Sequence, residues 1–274
     1  MKIRRVALNI FAWTIALIWI VPFVGVFMTT LRPLDELIHG WWNFDSFHPT
    51  LENFASAWNH PTAALKKGMV NSLIVAIPGT LIPLMIATMA GYGFSRYRFP
   101  LRKSFFILVV ITLALPQQTI AIPIFQLMNS LNLIDSYLGL ILLHSAWGLP
   151  WITFFMRNFF TTIPVAAEEA ARIDGANDIV IFFKIILPVA LPAIGSACAL
   201  QFTWVWSDFF LALILIYSPD KLLITQRVPL MRGVYNVDWG LLSAAAIIVM
   251  IVPILIYLLL QRYYIKGMVG WSLK

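Results

Sequence analysis

Charge is scarce in this chain. Only 11% of its 274 residues are Asp, Glu, Lys or Arg, and 61% are hydrophobic, whereas a soluble domain is about 25% charged. Such a chain cannot clothe a water-facing surface, which makes it a membrane protein. Cysteine is almost missing too. The single Cys198 lies in an apolar run, so an internal disulfide framework and a cysteine-based metal site are both excluded, and a small buried packing role is expected. Of the four histidines, His39, His48, His60 and His144, only the last lies in an apolar segment, beside Ser145. Adjacent residues on a helix face different ways, so these two cannot form a catalytic serine–histidine pair, and a polar packing role is expected. No Gly-x-x-x-x-Gly-Lys-Ser/Thr phosphate loop, His-Glu-x-x-His or Gly-x-Ser-x-Gly occurs. The chain therefore does not hydrolyse ATP by the phosphate-loop route and carries no recognisable hydrolase constellation. The net charge of +7 could suggest nucleic acid, but the basic residues flank apolar segments rather than forming one stripe. Lipid headgroups and topology account for them better.

What is present is a series of long apolar runs. The first, roughly 6–30, follows Lys2, Arg4 and Arg5 and exits at Met28-Thr-Thr-Leu-Arg32 without a small-x-small cleavage site. It is expected to be an uncleaved transmembrane helix rather than a signal peptide. Others lie at roughly 69–94, 104–128, 137–159, 189–217 and 241–261, which predicts six antiparallel helices in one domain over residues 1–274. The connection from Pro33 to Lys67 holds Trp41, Trp42, Phe44, Phe47 and Trp58; these suit a membrane–water boundary, or a docking surface for an external partner. About thirteen Lys and Arg lie at the N-terminus, in the 95–103 link, in the 157–188 loop and after Gln261. About six lie on the other side: Arg32, Lys66, Lys67, Lys221, Arg227 and Arg232. The positive-inside rule then puts both termini and the 160–188 loop in the cytoplasm.

That loop organises the rest. It reads EAARIDGANDIVIFFKIILP from Glu169 to Pro188. Pro164 suits the first turn of a helix, and the acidic and alanine residues after it favour helix and complement its positive N-terminal end. Asp174-Gly175 supplies a stop, because glycine tolerates the left-handed conformation at a helix end. Asn177 or Asp178 can cap a second helix, with Pro188 expected to turn the chain into the next apolar segment. Glu169-Ala170-Ala171, three residues, Gly175, nine residues, then Ile185-x-Leu187-Pro188 is a fixed spacing of seven residues that closely resembles the EAA loop of ABC importer permeases. Leu133–Leu142, Arg157–Phe160, Ile163-Pro164 and Asp174-Gly175-Ala176 are similar to the sugar-importing branch, in particular to its maltose-permease-like smaller subunit. The likeness runs from the first apolar segment to the C-terminus, where Gly267 and Gly270 resemble family tails.

Polar groups in a bilayer are costly and tend to face a cavity or another helix. Gln201, Trp204 and Asp208 fall at i, i+3 and i+7, along one helix face. An amide, an indole and a carboxylate suit sugar hydroxyls and a ring face, although pairing with a neighbouring helix or subunit is an equal alternative. The family often has Trp-Asn-Asp here, and this chain has Trp206-Ser207-Asp208, which weakens any carry-over from the Asn position but leaves Asp208 matched. Gln117, Gln118 and Gln126, framed by Pro116 and Pro123, could line a path or bond between helices. Asn71-Ser72 is a weaker likeness to a family pair.

The expected protein is thus all-α and integral to a bacterial-type inner membrane, with six transmembrane helices and a cytoplasmic helical coupling hairpin. The resemblance implies a permease for a sugar or sugar derivative, a different second permease subunit, two cytoplasmic ATPase subunits and an external solute-binding protein. Lipid surrounds it and no nucleic acid is involved; ATP and magnesium belong to the ATPase, and no cofactor to this chain. ATPase coupling would fall to Glu169, Ala170, Ala171, Asp174, Gly175, Ile185, Leu187 and Pro188, with Glu169 a charged anchor, Gly175 the bend and the Ile179–Ile186 face packed on the bundle. An ion-driven transporter would want acidic residues deep in several spans, and only Asp208 qualifies. Which sugar or polyol is carried is not legible in these residues.

Overall fold

The structure, a computed structural model, describes residues 2–45, 47–233 and 236–269, with side chains described within 5–261. All regular structure among these residues is helical. Among the described residues five helices are long and apolar enough to cross a membrane: Arg5–Thr30, Leu65–Arg96, Tyr137–Thr162, Asp178–Ser207 and Trp239–Gln261. The chain forms two compact units, one from Met1–Met69 with Leu223–Val252, the other from Val70–Leu222 with the segment from Pro253 onward.

In the first unit, α1 (Lys2–Thr30) presents apolar side chains on nearly every face, and Trp13 and Trp19 are each at least 70% exposed. No described residue of this unit covers them, which suits a surface facing hydrocarbon or another subunit. The following connection is ordered around Arg32, which is fully buried. Its guanidinium meets Glu36 at 3.5 Å, donates to the Asn43 carbonyl and lies over the Phe47 ring at 4.7 Å. Glu36 also accepts from the backbone N–H of His48, and its Oε1 lies 2.7 Å from His48 Nδ1. A buried guanidinium requires such partners, because an uncompensated charge would cost several kcal/mol. Beyond it, α2 (Glu52–Trp58) supplies Asn53, whose amide donates to the carbonyls of Thr30 and Arg32.

In the second unit, α3 (Leu65–Arg96) enters from the first and runs on to a short link. The predicted span at 104–128 is broken: α4 (Arg102–Thr112) and α5 (Ala121–Ser130) are separated by successive turns. Pro116 explains the break, since it offers no N–H and disfavours helical conformation in the residue before it. Pro123 sits in the first turn of α5, where a missing donor costs nothing. Neither piece approaches the roughly 20 residues a helix needs to cross hydrocarbon. A tight turn at Asp135 (φ +53°) then leads into α6 (Tyr137–Thr162). Burial works against the ionised form of the Asp135 carboxyl. Hydrogen bonds from Ser218, from Lys221 and from the Tyr217 N–H outweigh it and hold the group well below the usual carboxylate range.

The hairpin comprises α7 (Ala166–Ile173) and α8 (Asp178–Val180). From α8 the chain does not turn at Pro188. It passes through a π-helical stretch, Ile181–Ile186, directly into α9 (Leu187–Ser207), giving one continuous apolar helix from Asp178 to Ser207. Proline clashes with the carbonyl one turn earlier and leaves it without a donor. The wider i→i+5 turns lie where Pro188 makes that demand, so the helix continues instead of breaking. The predicted fifth span at 189–217 also ends early, at Ser207. Asp208 is extended (ψ 131°), and α10 (Phe210–Leu215) follows. Then come α11 (Ile224–Leu230) and α12 (Trp239–Val269). Gly267 is helical; Gly270 lies outside the described residues.

Candidate functional site

The hairpin divides into an inner and an outer face. On the inner side Ala171, Ile181, Phe182 and Ile186 pack with Tyr92 of α3 and with Ile152, Met156 and Phe160 of α6 in one buried cluster. Tyr92 sits at its centre, edge-on to Phe160 at 5.6 Å and tilted on Phe182 at 5.0 Å. Aromatic pairs at such separations contribute about 0.5–1.5 kcal/mol beyond the area they bury.

Glu168 is the charged member of that inner face, and none of its surface is exposed. Its Oε1 accepts from Arg96 Nε at 2.6 Å and its Oε2 from the Tyr92 hydroxyl at 3.0 Å. Arg96 also donates to the Ile163 carbonyl at 2.8 Å, closing the segment just before α7. The hairpin is thus latched to the end of α3 by a charge-assisted bond from a side chain only 9% exposed, the stronger kind of hydrogen bond. Beside the latch, burial pushes the Tyr97 phenol up, and the Asp178 carboxylate adds to the effect.

The joint between the two helices has the geometry expected of its sequence. Gly175 has φ +85°, and its N–H bonds to the Arg172 carbonyl while that of Ala176 bonds to Ala171, the paired bonds of a Schellman end. A Cβ at Gly175 would meet nothing within 4 Å, so conformation, not space, demands glycine. Asn177, rather than Asp178, caps α8, accepting from the Val180 N–H at 2.9 Å. Asp178 instead pairs with Arg172 at 3.1 Å.

On the outer side Glu169, Ala170, Asp174 and Gly175 are exposed, and Ile173 and Ile179 are bare at 87% and 70%. Glu169 makes no ion pair among the described residues. Of the other expected coupling residues, Ala171 is buried, Ile185 and Leu187 are half-buried and Pro188 is exposed. Ile179 departs from the expectation that the whole Ile179–Ile186 face packs inward: Ile181, Phe182 and Ile186 do, whereas Ile179, in the first turn of α8, points away. The spacing reading missed Glu168, Tyr92 and Arg96. The signal was the Glu168-Glu169 doublet, since two successive helical residues cannot share a face.

The six expected path residues are not gathered in one place. The Gln201 amide donates to the carbonyls of Gly79 at 3.1 Å and His144 at 3.2 Å, and its oxygen accepts from Trp151 Nε1 at 2.8 Å. It is a buried tie between α9, α3 and α6. Gly148 permits it, because a Cβ there would fall 2.7 Å from Gln201 Nε2. Asp208 accepts from the backbone N–H groups of Leu211 and Ala212, at the start of α10, and lies 3.8 Å from His144 Nε2. Trp204 is 57% exposed and lines a separate cavity of about 200 Å³ with Leu115, Ile120, Trp147 and Trp151. Gln118 and Gln126 are exposed and Gln117 half-buried. Asn71 bonds to the carbonyls of Asp220 and Leu222 at 2.7 and 3.0 Å, which holds the connection after α10.

Residues 79–270 match the family described as binding-protein-dependent transport system inner membrane component. A probable ABC transporter permease protein of Pyrococcus horikoshii is 53% identical, with 100% of each chain covered. A diacetylchitobiose uptake system permease protein of Streptomyces coelicolor is 31% identical over 91% of this chain and 82% of its own. Among solved structures, a bacterial ABC transporter involved in the import of the acidic polysaccharide alginate contains a chain that superposes with a TM-score of 0.79. That match covers 96% of this chain and 97% of the other at 21% identity, which establishes the shared helical fold.

Proposed function

Since this chain belongs to the family of inner membrane components of binding-protein-dependent transport systems, we propose that it is one permease subunit of an ATP-driven importer of a sugar or sugar derivative. It is a transport component and not an enzyme. Sugars are favoured as cargo by the uptake system named for the Streptomyces relative and by the short motifs around Leu133–Leu142 and Arg157–Phe160. An external solute-binding protein would deliver the cargo, and a second permease subunit would complete the path. The count of basic residues favours a cytoplasmic hairpin and cytoplasmic termini.

The observation that carries the mechanism is the two-faced hairpin. Its inner face is anchored to α3 and α6 through Glu168 and the Tyr92 cluster. Its outer face leaves Ile173 and Ile179 exposed beside Glu169 and Asp174, Ile173 between two apolar spans and Ile179 at the very start of the next. Bare isoleucine ringed by charge marks a contact surface, and a partner ATPase is the occupant proposed. ATP binding would close two such ATPases; the hairpin would follow, and the bundle would alternate between inward and outward access. Pull-down of the tagged chain from solubilised membranes, wild type beside Glu169→Lys, tests this. The wild type should bring down an ATPase and a second permease, and the variant should lose the ATPase while keeping the permease. An ATPase recovered equally with both would remove the hairpin from the dock.

A further inference from the structure

Four cations converge at the α3–α4 junction without an acid among them. Arg98, Arg102, Lys103 and Arg157 line one cavity of about 600 Å³, walled by Phe94, Phe99 and Phe106. None of the four is ion-paired among the described residues, in contrast to Arg96 two positions earlier, which is held by Glu168. Topological sorting alone asks only that basic residues lie on one side of the membrane; it does not draw them to one hole. Two of them are fixed in place. The Arg157 guanidinium lies over the Phe106 ring at 4.8 Å and donates to Asn158 Oδ1, and Arg102 donates to the Tyr97 carbonyl. Arg102 and Lys103 also occupy the first turn of α4, which holds no acidic residue, so the positive helix end adds to the repulsion. Like charges drawn this close repel one another, and an anion between them would offset that repulsion.

The walls indicate what kind of anion. Phe94 packs on Phe99 and Phe106 at 5.7 and 5.5 Å, and the exposed Leu101 and Phe105 continue the apolar surface along α4. A small hydrated anion gains nothing from such walls, whereas a phosphodiester joined to acyl or alkyl chains fits both features. We propose that this cavity is a binding site for the headgroup of an anionic phospholipid, with Arg98, Arg102, Lys103 and Arg157 around the phosphate and the chains running along α4. The site abuts the end of α3 that Glu168 grips, so lipid occupancy and hairpin position share a support.

The test uses the full-length protein, solubilised and washed free of native lipid. It is titrated with phosphatidylglycerol, phosphatidylcholine and inorganic phosphate, and retained adducts are followed by native mass spectrometry. Phosphatidylglycerol should be retained and phosphatidylcholine washed away. Arg98→Gln with Lys103→Gln, both exposed side chains, should weaken retention about tenfold or more, and Arg98→Lys with Lys103→Arg should restore it. Lys66→Gln, at the opposite end of α3, should leave it unchanged. Equal retention of both lipids, or wild-type retention by the double glutamine variant, would overturn the site. Displacement of phosphatidylglycerol by an equal concentration of inorganic phosphate would overturn the lipid and leave a site for free anions.

Discussion

Adjacent residues on an α-helix point roughly 100° apart, and the doublet Glu168-Glu169 shows what that separation does. One carboxylate is sealed against Arg96 and Tyr92, and its neighbour stands in the open. Removing one partner of a buried charged pair leaves the other uncompensated and costs about 3–5 kcal/mol. Glu168→Ala should therefore lower the melting temperature of the purified protein clearly, while Glu169→Ala should leave it nearly unchanged. A double-mutant cycle with Arg96→Ala should return a coupling of about 0.5–3 kcal/mol; zero coupling would show the latch to be incidental. Motif spacing singled out Glu169 and was silent on Glu168, because spacing records which positions recur and not which of them faces a neighbouring helix. Gln201 presents the converse. The spacing put it on one helix face with Trp204 and Asp208, but Gln201 is buried, Trp204 is 57% exposed and Asp208 lies beyond the end of α9. Its partners are two backbone carbonyls and an indole from distant segments, and no periodicity within α9 reveals those.

At the scale of elements, most helices lie where hydrophobic length predicted, within a few residues at each end. α1, α3 and α6 depart least, since each is an apolar run bounded by polar turns. Prolines account for the two larger differences, and they act in opposite directions. Pro116 ends a helix expected to continue, and Pro188 continues one expected to end. Pro116 lies in a run of turns, whereas a π-helical stretch precedes Pro188, a local adjustment with no compositional signature. The bend of the α7–α8 joint was legible, because Gly175 at φ +85° satisfies a conformational rule rather than a packing one; the cap after it was open between Asn177 and Asp178, and Asn177 is the one that accepts from Val180. Proline cannot adopt that angle. Gly175→Pro should accordingly abolish substrate uptake while the chain remains in the membrane at wild-type abundance on immunoblots. Undiminished uptake would show that the bend has no part in coupling.

For the whole molecule, charge distribution leads to a further expectation. Replacing Cys198 with Ser and Ile173 with Cys places one exposed thiol at the hairpin tip. A membrane-impermeant maleimide should label it in inside-out vesicles and not in intact cells. Labelling from outside would reverse the proposed orientation. The apolar sides of α1, with Trp13 and Trp19 bare, fit a subunit whose remaining contacts come from lipid and from other chains. One sequence alone cannot specify those contacts, because the residues on the other side of them are encoded elsewhere.

The unbroken helix from Asp178 to Ser207 has a consequence for how force moves. Thirty residues at about 1.5 Å each make a strut of about 45 Å, with one end in the hairpin and the other at the Asp208 break. The strut is clamped partway along by Gln201, bonded to α3 and α6. On the coupling proposed above, a push on the hairpin tip would swing the two ends of this strut in opposite senses about a fulcrum at Gln201. The ratio of the arms on either side of that fulcrum would then set the travel at the far end.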